Sequence, residues 1–338
     1  LAHEDGGGSR DPEGRPRANE KPERVDGRTY PTGCRAYLSP YYERGKLSPA
    51  DENDRPVFTG RFNGGAVSLN LPMILRKAQL EGRDFYEVLD YYLDVINGIH
   101  IKTFDFLSKI KATSIPVAYS QGGFAYLKPA DSIKPLVERA TFSYGFTALN
   151  ELQELYNGHS LYEEKDNEKA FAYEVLKHIV AYVDDKKAHY GKDIPYIAAI
   201  YGTPAESLCG TQVEQFKRKY GIIPKVSDRA YFTNSFHMHV SEEITPFQKQ
   251  DAEFRYFHLA SGGHIQYCRF TTGMNENYIS QCVDRAMKLG YYFGVNIEKS
   301  YCNDCGAKID DGIDVCPVCH SHNITEINRV CGYLGYSK

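Results

Sequence analysis

Cys302-Asn303-Asp304-Cys305 and Cys316-Pro317-Val318-Cys319 lie near the end of the chain with ten residues between them, and Arg329-Val330-Cys331-Gly332-Tyr333-Leu334-Gly335 follows. A Cys-x-x-Cys turn brings two thiolates together, and two such turns supply the four-thiolate tetrahedral shell that zinc takes in structural sites. A redox dithiol is the rival reading, but that motif stands alone at the start of a helix after a strand. Cys302, Cys305, Cys316 and Cys319 are therefore the expected zinc ligands. His320 and His322 are surplus to a closed shell and read as surface residues.

Outward from this knot, the bulk properties bound the rest. With 338 residues and 42% hydrophobic content, the chain can fill one large α/β domain or two ordinary ones. Its 40 basic and 44 acidic residues leave a net charge of -4, which draws it to neither nucleic acid nor anionic membranes. No apolar run approaches the roughly 20 residues of a membrane helix, and no secretion signal is present, so a soluble cytoplasmic protein is expected. Nine cysteines with two close Cys-x-x-Cys pairs suit metal binding in a reducing compartment better than a disulfide framework. Residues 1–29, rich in Gly, Pro, Arg and acids, read as a linker or disordered segment. Because the first residue is Leu1, the chain is expected to lack part of its N-terminal end.

From Pro31 to Asn70 the many Gly and Pro residues predict loop. Apolar spacing predicts two packed helices, over Met73–Leu80 and from Phe85 towards Leu107, and a third from Glu168 to His189. Ile115–Tyr119 reads as a short strand, 132–156 as turn, strand and helix, and Tyr196–Tyr201 as a buried strand. Ala230–Thr233 and His237–Val240 look strand-like, and helices follow at 247–259 and 275–289, with a turn and strand after Ser261. Strands alternating with helices predict an α/β architecture around a parallel or mixed sheet or barrel, with the small metal knot appended. Cys268 and Cys282 fall in apolar contexts and read as packing residues, while Cys209 sits three residues from Glu206. His237, His239 and His264 read as core or substrate-lining residues rather than metal ligands.

The run 329–335 resembles the glycyl-radical motif of the anaerobic (class III) ribonucleotide reductases, where it lies just behind a four-cysteine zinc site. Glycine suits such a radical because loss of one Cα hydrogen leaves a planar centre that the flanking amides delocalise and a side chain would oppose. An isolated glycine of this kind is an ordinary turn residue; the cysteine knot upstream changes its meaning. Pro31-Thr32-Gly33-Cys34-Arg35 resembles the finger loop of the same family. Arg61 to Pro72, Tyr201-Gly202-Thr203-Pro204-Ala205-Glu206, Tyr231-Phe232-Thr233-Asn234-Ser235 and Gly262-Gly263-His264-Ile265 are similar too, so the resemblance covers about residues 31–338. Pyruvate formate-lyase carries two adjacent cysteines in this loop, and the glycyl-radical dehydratases a Glu two residues on, where this chain has Ala36.

The resemblance implies that residues 30–298 form the C-terminal part of a ten-stranded α/β barrel with a central finger loop, and residues 299–338 the zinc and radical segment. It implies a radical stored on Gly332, generated by a radical-SAM activase with an iron–sulfur cluster, and a thiyl on Cys34 that attacks a ribonucleoside triphosphate. Glu206 would exchange a proton with the departing 2′-hydroxyl, the alternative being a solvated loop carboxylate. Asn63 and Asn234 would orient the ribose or cap their own loops. Formate or a thiol system would be the reductant, and the enzyme a homodimer. A glycyl-radical enzyme of pyruvate formate-lyase type and a non-enzymatic zinc-ribbon protein are the alternatives.

Overall fold

A computed structural model describes residues 31–32, 36–205, 207–270, 274–297, 299–309, 313–330 and 333–337. They fall into two compact units, one within 24–243 and 255–264, the other within 244–254 and 265–338.

The larger unit is organised by three parallel strands, β1 (Asn63–Asn70), β2 (Thr141–Thr147) and β3 (Ile197–Gly202), with β2 in the middle. Helices α1 (Leu71–Glu81) and α2 (Phe85–Leu107) connect β1 to β2; α3 (Leu149–Asn157) and α4 (Phe171–Ala188) connect β2 to β3, and α5 (Ser207–Tyr220) follows. The two packed helices, the helix expected between Glu168 and His189 and the Tyr196–Tyr201 strand are present, the strand as Ile197–Gly202. Asn70 and Asp84 account for the sharp starts of α1 and α2, since their side-chain oxygens accept from Met73 N and from Tyr86 N and Glu87 N.

Register gives the sheet two chemically opposite faces. Phe142, Tyr144 and Phe146 align with Gly65, Val67 and Leu69 on one side and with Ala198, Ile200 and Gly202 on the other. The alternate residues, Ser143 and Gly145 of β2, align with Ala66 and Ser68 and with Ala199 and Tyr201. α2 covers the aromatic face: His100 donates from Nε2 to the Ser143 carbonyl at 3.2 Å, and its ring meets the edges of Phe142, Tyr144 and Tyr196. The Tyr144 and Tyr196 hydroxyls share a hydrogen bond of 2.6 Å, and Tyr196 donates to Asn97 at 2.6 Å, so these buried phenols have partners.

Three sequence expectations fail for identifiable reasons. Asn63–Asn70 is a strand rather than loop. Its glycines permit close approach: a Cβ at Gly64 would strike the Phe142 ring, and the register shifts between Asn63 and Gly65 as in a bulge. Ile115–Tyr119 ends in one helical turn, Pro116–Tyr119, with proline in the first position that favours helix starts. Ala230–Thr233 and His237–Val240 pair with no strand, and the hydrogen bonds of Thr233 go to a helix end instead.

In the smaller unit α6 (Pro246–Phe257) contributes its residues up to Phe254. β4 (Gln266–Phe270), α7 (Glu276–Leu289) and β5 (Phe293–Ile297) form a parallel strand–helix–strand unit, with Cys268 and Cys282 packed against Phe270 as expected. A four-stranded antiparallel sheet follows, from β6 (Lys299–Cys302), β7 (Lys308–Ile309), β8 (Ile324–Val330) and β9 (Tyr333–Ser337), in the order β9-β8-β6-β7.

Burial of His100 lowers its pKa to about 4 against the usual 6.5, so the unfolded chain takes up this proton first. The stability it protects is whole above pH 6.5 and is lost as pH falls towards 4, by at most about 3 kcal/mol. Urea unfolding at pH 7 and pH 4.5 is expected to show His100→Gln losing less stability than the wild type over that interval.

Candidate functional site

Two places gather the residues singled out by sequence. The first is the C-terminal rim of the parallel sheet, where ligand sites of such sheets lie. Backbone strain collects there: Ala148 just after β2, Ala205 after β3 and Ser235 in the loop beside them all have positive φ, at 60°, 61° and 44°. A Cβ on Gly202 would lie 3.4 Å from both Ser235 Cβ and the Phe236 ring, and 3.5 Å from the Gly263 carbonyl. Asn234 therefore stands at the same rim as the segment leading to residue 206. Glu206 itself, like Cys34 and Gly332, lies outside the described residues.

The small-residue face of the sheet is polar and tight. Ser68 and Thr203 share a hydrogen bond of 2.7 Å, and a Cβ on Gly145 would collide with both hydroxyls. Gly262 comes equally close to this face, where a Cβ would meet Ala199 and Ile200. Next to it, Tyr37 N donates to the Gly262 carbonyl at 2.8 Å, and the Tyr37 hydroxyl lies between the His264 carbonyl and ring at 3.2 and 3.3 Å. Tyr37 belongs to a small antiparallel pair, Pro31–Thr32 with Ala36–Tyr37, that flanks residues 33–35. His264 is thus a buried core histidine, as expected.

Asn63 is not at the rim. It begins β1, seven residues before Asn70, and so stands roughly 23 Å from the C-terminal end at strand spacing. Its Nδ2 donates to Ser143 Oγ at 3.1 Å and its Oδ1 accepts from Gly65 N at 3.0 Å. The structure does not bring it together with Asn234.

Sequence reasoning missed a buried charge cluster behind Asn234. Glu151, fully buried in the first turn of α3, accepts from Arg229 Nη1 at 2.9 Å, Thr233 Oγ1 at 2.8 Å and Thr233 N at 3.2 Å. Burial raises its pKa, and burial likewise pushes Glu154 up to about 7 although Arg229 pulls it down. A Glu at the third position of a helix is the only sequence signal of this role, and its partners Arg229 and Thr233 lie 78 and 82 residues away.

The second place is the cysteine knot of the smaller unit. The four sulfurs lie within 4.8 Å of one another, with Cys302–Cys319 at 3.5 Å and Cys305–Cys316 at 3.6 Å. Zinc–sulfur bonds of about 2.3 Å would set the tetrahedral edge near roughly 3.8 Å, so the donors already stand at metal spacing. Two matching turns hold them. Cys302 N donates to Ala307 O and Gly306 N to Cys302 O, both at 2.9 Å; Cys316 N donates to Ser321 O at 2.8 Å and His320 N to Cys316 O at 2.9 Å. Gly306 and His320 occupy equivalent left-handed positions, φ 73° and 59°.

Protonation divides the four sulfurs: Cys302 and Cys316 are drawn towards thiolate, while neighbouring thiols raise Cys305 and Cys319. The Cys305 amide lowers Cys302, and the Cys319 amide lowers Cys316 to about 7. The Ser321 amide draws on Cys319, yet the neighbouring Cys305 and Cys302 thiols outweigh it and push Cys319 up to about 12. Four thiolates at this spacing need a cation among them, and the set fits a thiophilic divalent metal. His320 and His322 are exposed, as expected.

β8 ties this knot to the motif that follows. One edge pairs with β6 in the register Ile324↔Cys302, and the other with β9, closing on Val330↔Tyr333. Six residue steps separate Ile324 from Val330, about 20 Å at antiparallel spacing, so the knot anchors the hairpin without reaching its tip.

A sequence profile of the family described as "Anaerobic ribonucleoside-triphosphate reductase" matches residues 16–338. The protein of that name from Haemophilus influenzae is 32% identical over 319 residues, covering 90% of this chain and 43% of the relative. That of Enterobacteria phage T4 is 31% identical over 321 residues, covering 90% of this chain and 49% of the relative. The chain thus spans about half the length of the curated relatives it matches. The anaerobic ribonucleotide reductase of Thermotoga maritima with MES in the active site aligns with a TM-score of 0.61 at 18% identity, over 86% of this chain and 46% of that one. Its complex with dATP and CTP aligns at 0.58 and 17%, over 80% and 42%. At these identities the likeness is one of fold. No described helix is long and apolar enough to cross a membrane.

Metal analysis is expected to find about one zinc per chain, absent in Cys302→Ser. Gly306→Val should strain its turn by about 1–2 kcal/mol and speed zinc loss to a chelator, whereas His320→Gly relieves the matching strain and slows it. Equal chelation rates in the two variants would contradict the equivalence of the turns.

Proposed function

Because the chain belongs to the anaerobic ribonucleoside-triphosphate reductase family, we propose that it supplies the radical store, the hydrogen-abstracting thiol and part of the nucleotide pocket of an enzyme reducing ribonucleoside triphosphates to 2′-deoxyribonucleoside triphosphates. The observation that carries the reading is β8, shared between the strand ending at Cys302 and the strand that follows Gly332. The cysteine knot and the strands on either side of residues 331–332 thus belong to one sheet, in the order that the resemblance implies.

In this reading a radical-SAM activase with an iron–sulfur cluster removes a Cα hydrogen from Gly332, and the spin passes to Cys34. The Cys34 thiyl takes the 3′-hydrogen of the substrate, and the 2′-hydroxyl leaves as water with the Glu206 carboxylate taking up and returning a proton. Formate or a thiol system supplies two electrons, and Cys34 returns the hydrogen to C3′, restoring the thiyl. Zinc on Cys302, Cys305, Cys316 and Cys319 fixes the strand that leads to Gly332. Water must be kept from the radical, which suits the tightly packed small-residue face of the sheet, where the Ser68 and Thr203 hydroxyls fill the space over Gly145 and Gly262 closes on Ala199.

Residues 30–298 are read as part of a ten-stranded barrel with the Cys34 segment as its finger loop, and residues 299–338 as the zinc and radical segment of a cytoplasmic homodimer. The parallel β1-β2-β3 order supports the barrel reading. Of the two amides, Asn234 is the better placed to meet a ribose. The engagement of Asn63 with Ser143 and Gly65 suits shaping the sheet surface instead.

Anaerobic incubation of the full polypeptide with activase, S-adenosylmethionine and reductant is expected to yield a doublet in the EPR spectrum. Gly332→Ala should abolish it, and Cys34→Ser should keep it while stopping deoxycytidine triphosphate formation from CTP. A signal unchanged in Gly332→Ala would sink the assignment.

A further inference from the structure

The loop that carries Asn234 is held more firmly than a surface turn needs. Leading into α3, Ala148 N donates to the Thr233 carbonyl at 2.8 Å and Leu149 N to the Ser235 carbonyl at 3.2 Å, so the loop satisfies two donors at the helix start. In return the Glu151 carboxylate takes the Thr233 N–H and O–H, with Arg229 held on the same carboxylate and on Glu154 at 3.3 Å. Phe232 N donates to the Cys209 carbonyl at 3.3 Å, which ties the loop to α5 as well. Both neighbours of Asn234 are thereby fixed. From Phe232 to Met238, Asn234 is the one residue that is not buried.

A fully buried carboxylate is an expensive way to fill space, because an apolar side chain would pack there without desolvating a charge. What a charge adds is direction: two oxygens, each accepting along a defined line, set the position of the Thr233 main chain more sharply than apolar contact does. Ser235 keeps its left-handed backbone against this restraint, so Asn234 points out of a loop with little freedom to relax.

We infer that Glu151 is a positioning residue for the nucleotide: through Thr233, and with Arg229 as its counter-charge, it fixes the Asn234 amide where the ribose binds. The inference rests on the reductase reading and assigns a role to residues that touch no substrate. Removing such a restraint loosens ground-state and transition-state binding alike, which raises KM and leaves kcat nearly unchanged.

The test uses the full polypeptide with its activase and CTP as substrate. Glu151→Gln and Thr233→Val are each expected to raise KM about tenfold, the lower end for loss of a hydrogen bond to a charged group, with kcat within about twofold. Thr233→Ser, which restores the hydroxyl, should recover most of the loss. Asn234→Ala should raise KM on its own, and adding Thr233→Val to it should raise KM no further, because the restraint then has nothing to position. If Glu151→Gln does not fold, Thr233→Val decides alone, being nearly isosteric. An unchanged KM in Thr233→Val, or KM effects that multiply in the double variant, overturns the inference. The glycyl-radical EPR signal on the same samples separates the two claims: its absence from the wild type overturns the reductase reading, whereas its presence with KM unchanged overturns only the role of Glu151.

Discussion

Strand β2 is paired on both edges and buried along its whole length, so its side chains alone decide what can approach each face of the sheet. Thr141-Phe142-Ser143-Tyr144-Gly145-Phe146-Thr147 alternates large with small. The large set draws α2 against one face and leaves the His100 imidazole among aromatic rings, where its remaining hydrogen bond must come from the backbone. The small set leaves the other face open to close approach: the Ser68 and Thr203 hydroxyls press against Gly145, and Gly262 comes as close to Ala199 of the neighbouring β3. A one-residue slip of β2 would put phenyl rings where backbone now lies, so the pairing register is strongly held.

At the rim the same unit trades stability for placement. Three non-glycine residues in left-handed conformations and a buried carboxylate are each unfavourable alone. They persist because strand ends, helix start and loop share hydrogen bonds that none could satisfy separately. Such an arrangement is stiff, and on the proposed reading that stiffness would hold Asn234 in place against a bound ligand.

Much of this was readable from sequence where the signal is local. The α2 stripe of Val88, Leu89, Leu93 and Ile96 announces its helix by spacing, and the four cysteines announce their knot because both turns close within a few residues. Failures came where the deciding partner is distant. Gly64 looks like loop until the Phe142 ring shows why no side chain fits. Ala230–Thr233 has strand-like composition, yet Thr233 answers a helix end and a carboxylate 82 residues earlier. Glu151 could not be found at all, for a buried acid and a solvated one look the same until the fold is known. Asn63 and Asn234 have equal standing as amides in loops, and only strand direction separates them to opposite ends of the sheet.

The ladder that β8 shares on both edges has a consequence for how position is transmitted along it. A slip that keeps the same side chains on the same face moves the strand by two residues, about 7 Å, whereas smaller displacements only stretch the hydrogen bonds. With Ile324 registered against Cys302 and Val330 against Tyr333, β8 joins the metal knot and the β8–β9 pairing in one ladder. The Cys302 end of the β8–β6 ladder is thus the part that loss of the metal should weaken first, with the β8–β9 pairing at Val330 and Tyr333 the farthest from it.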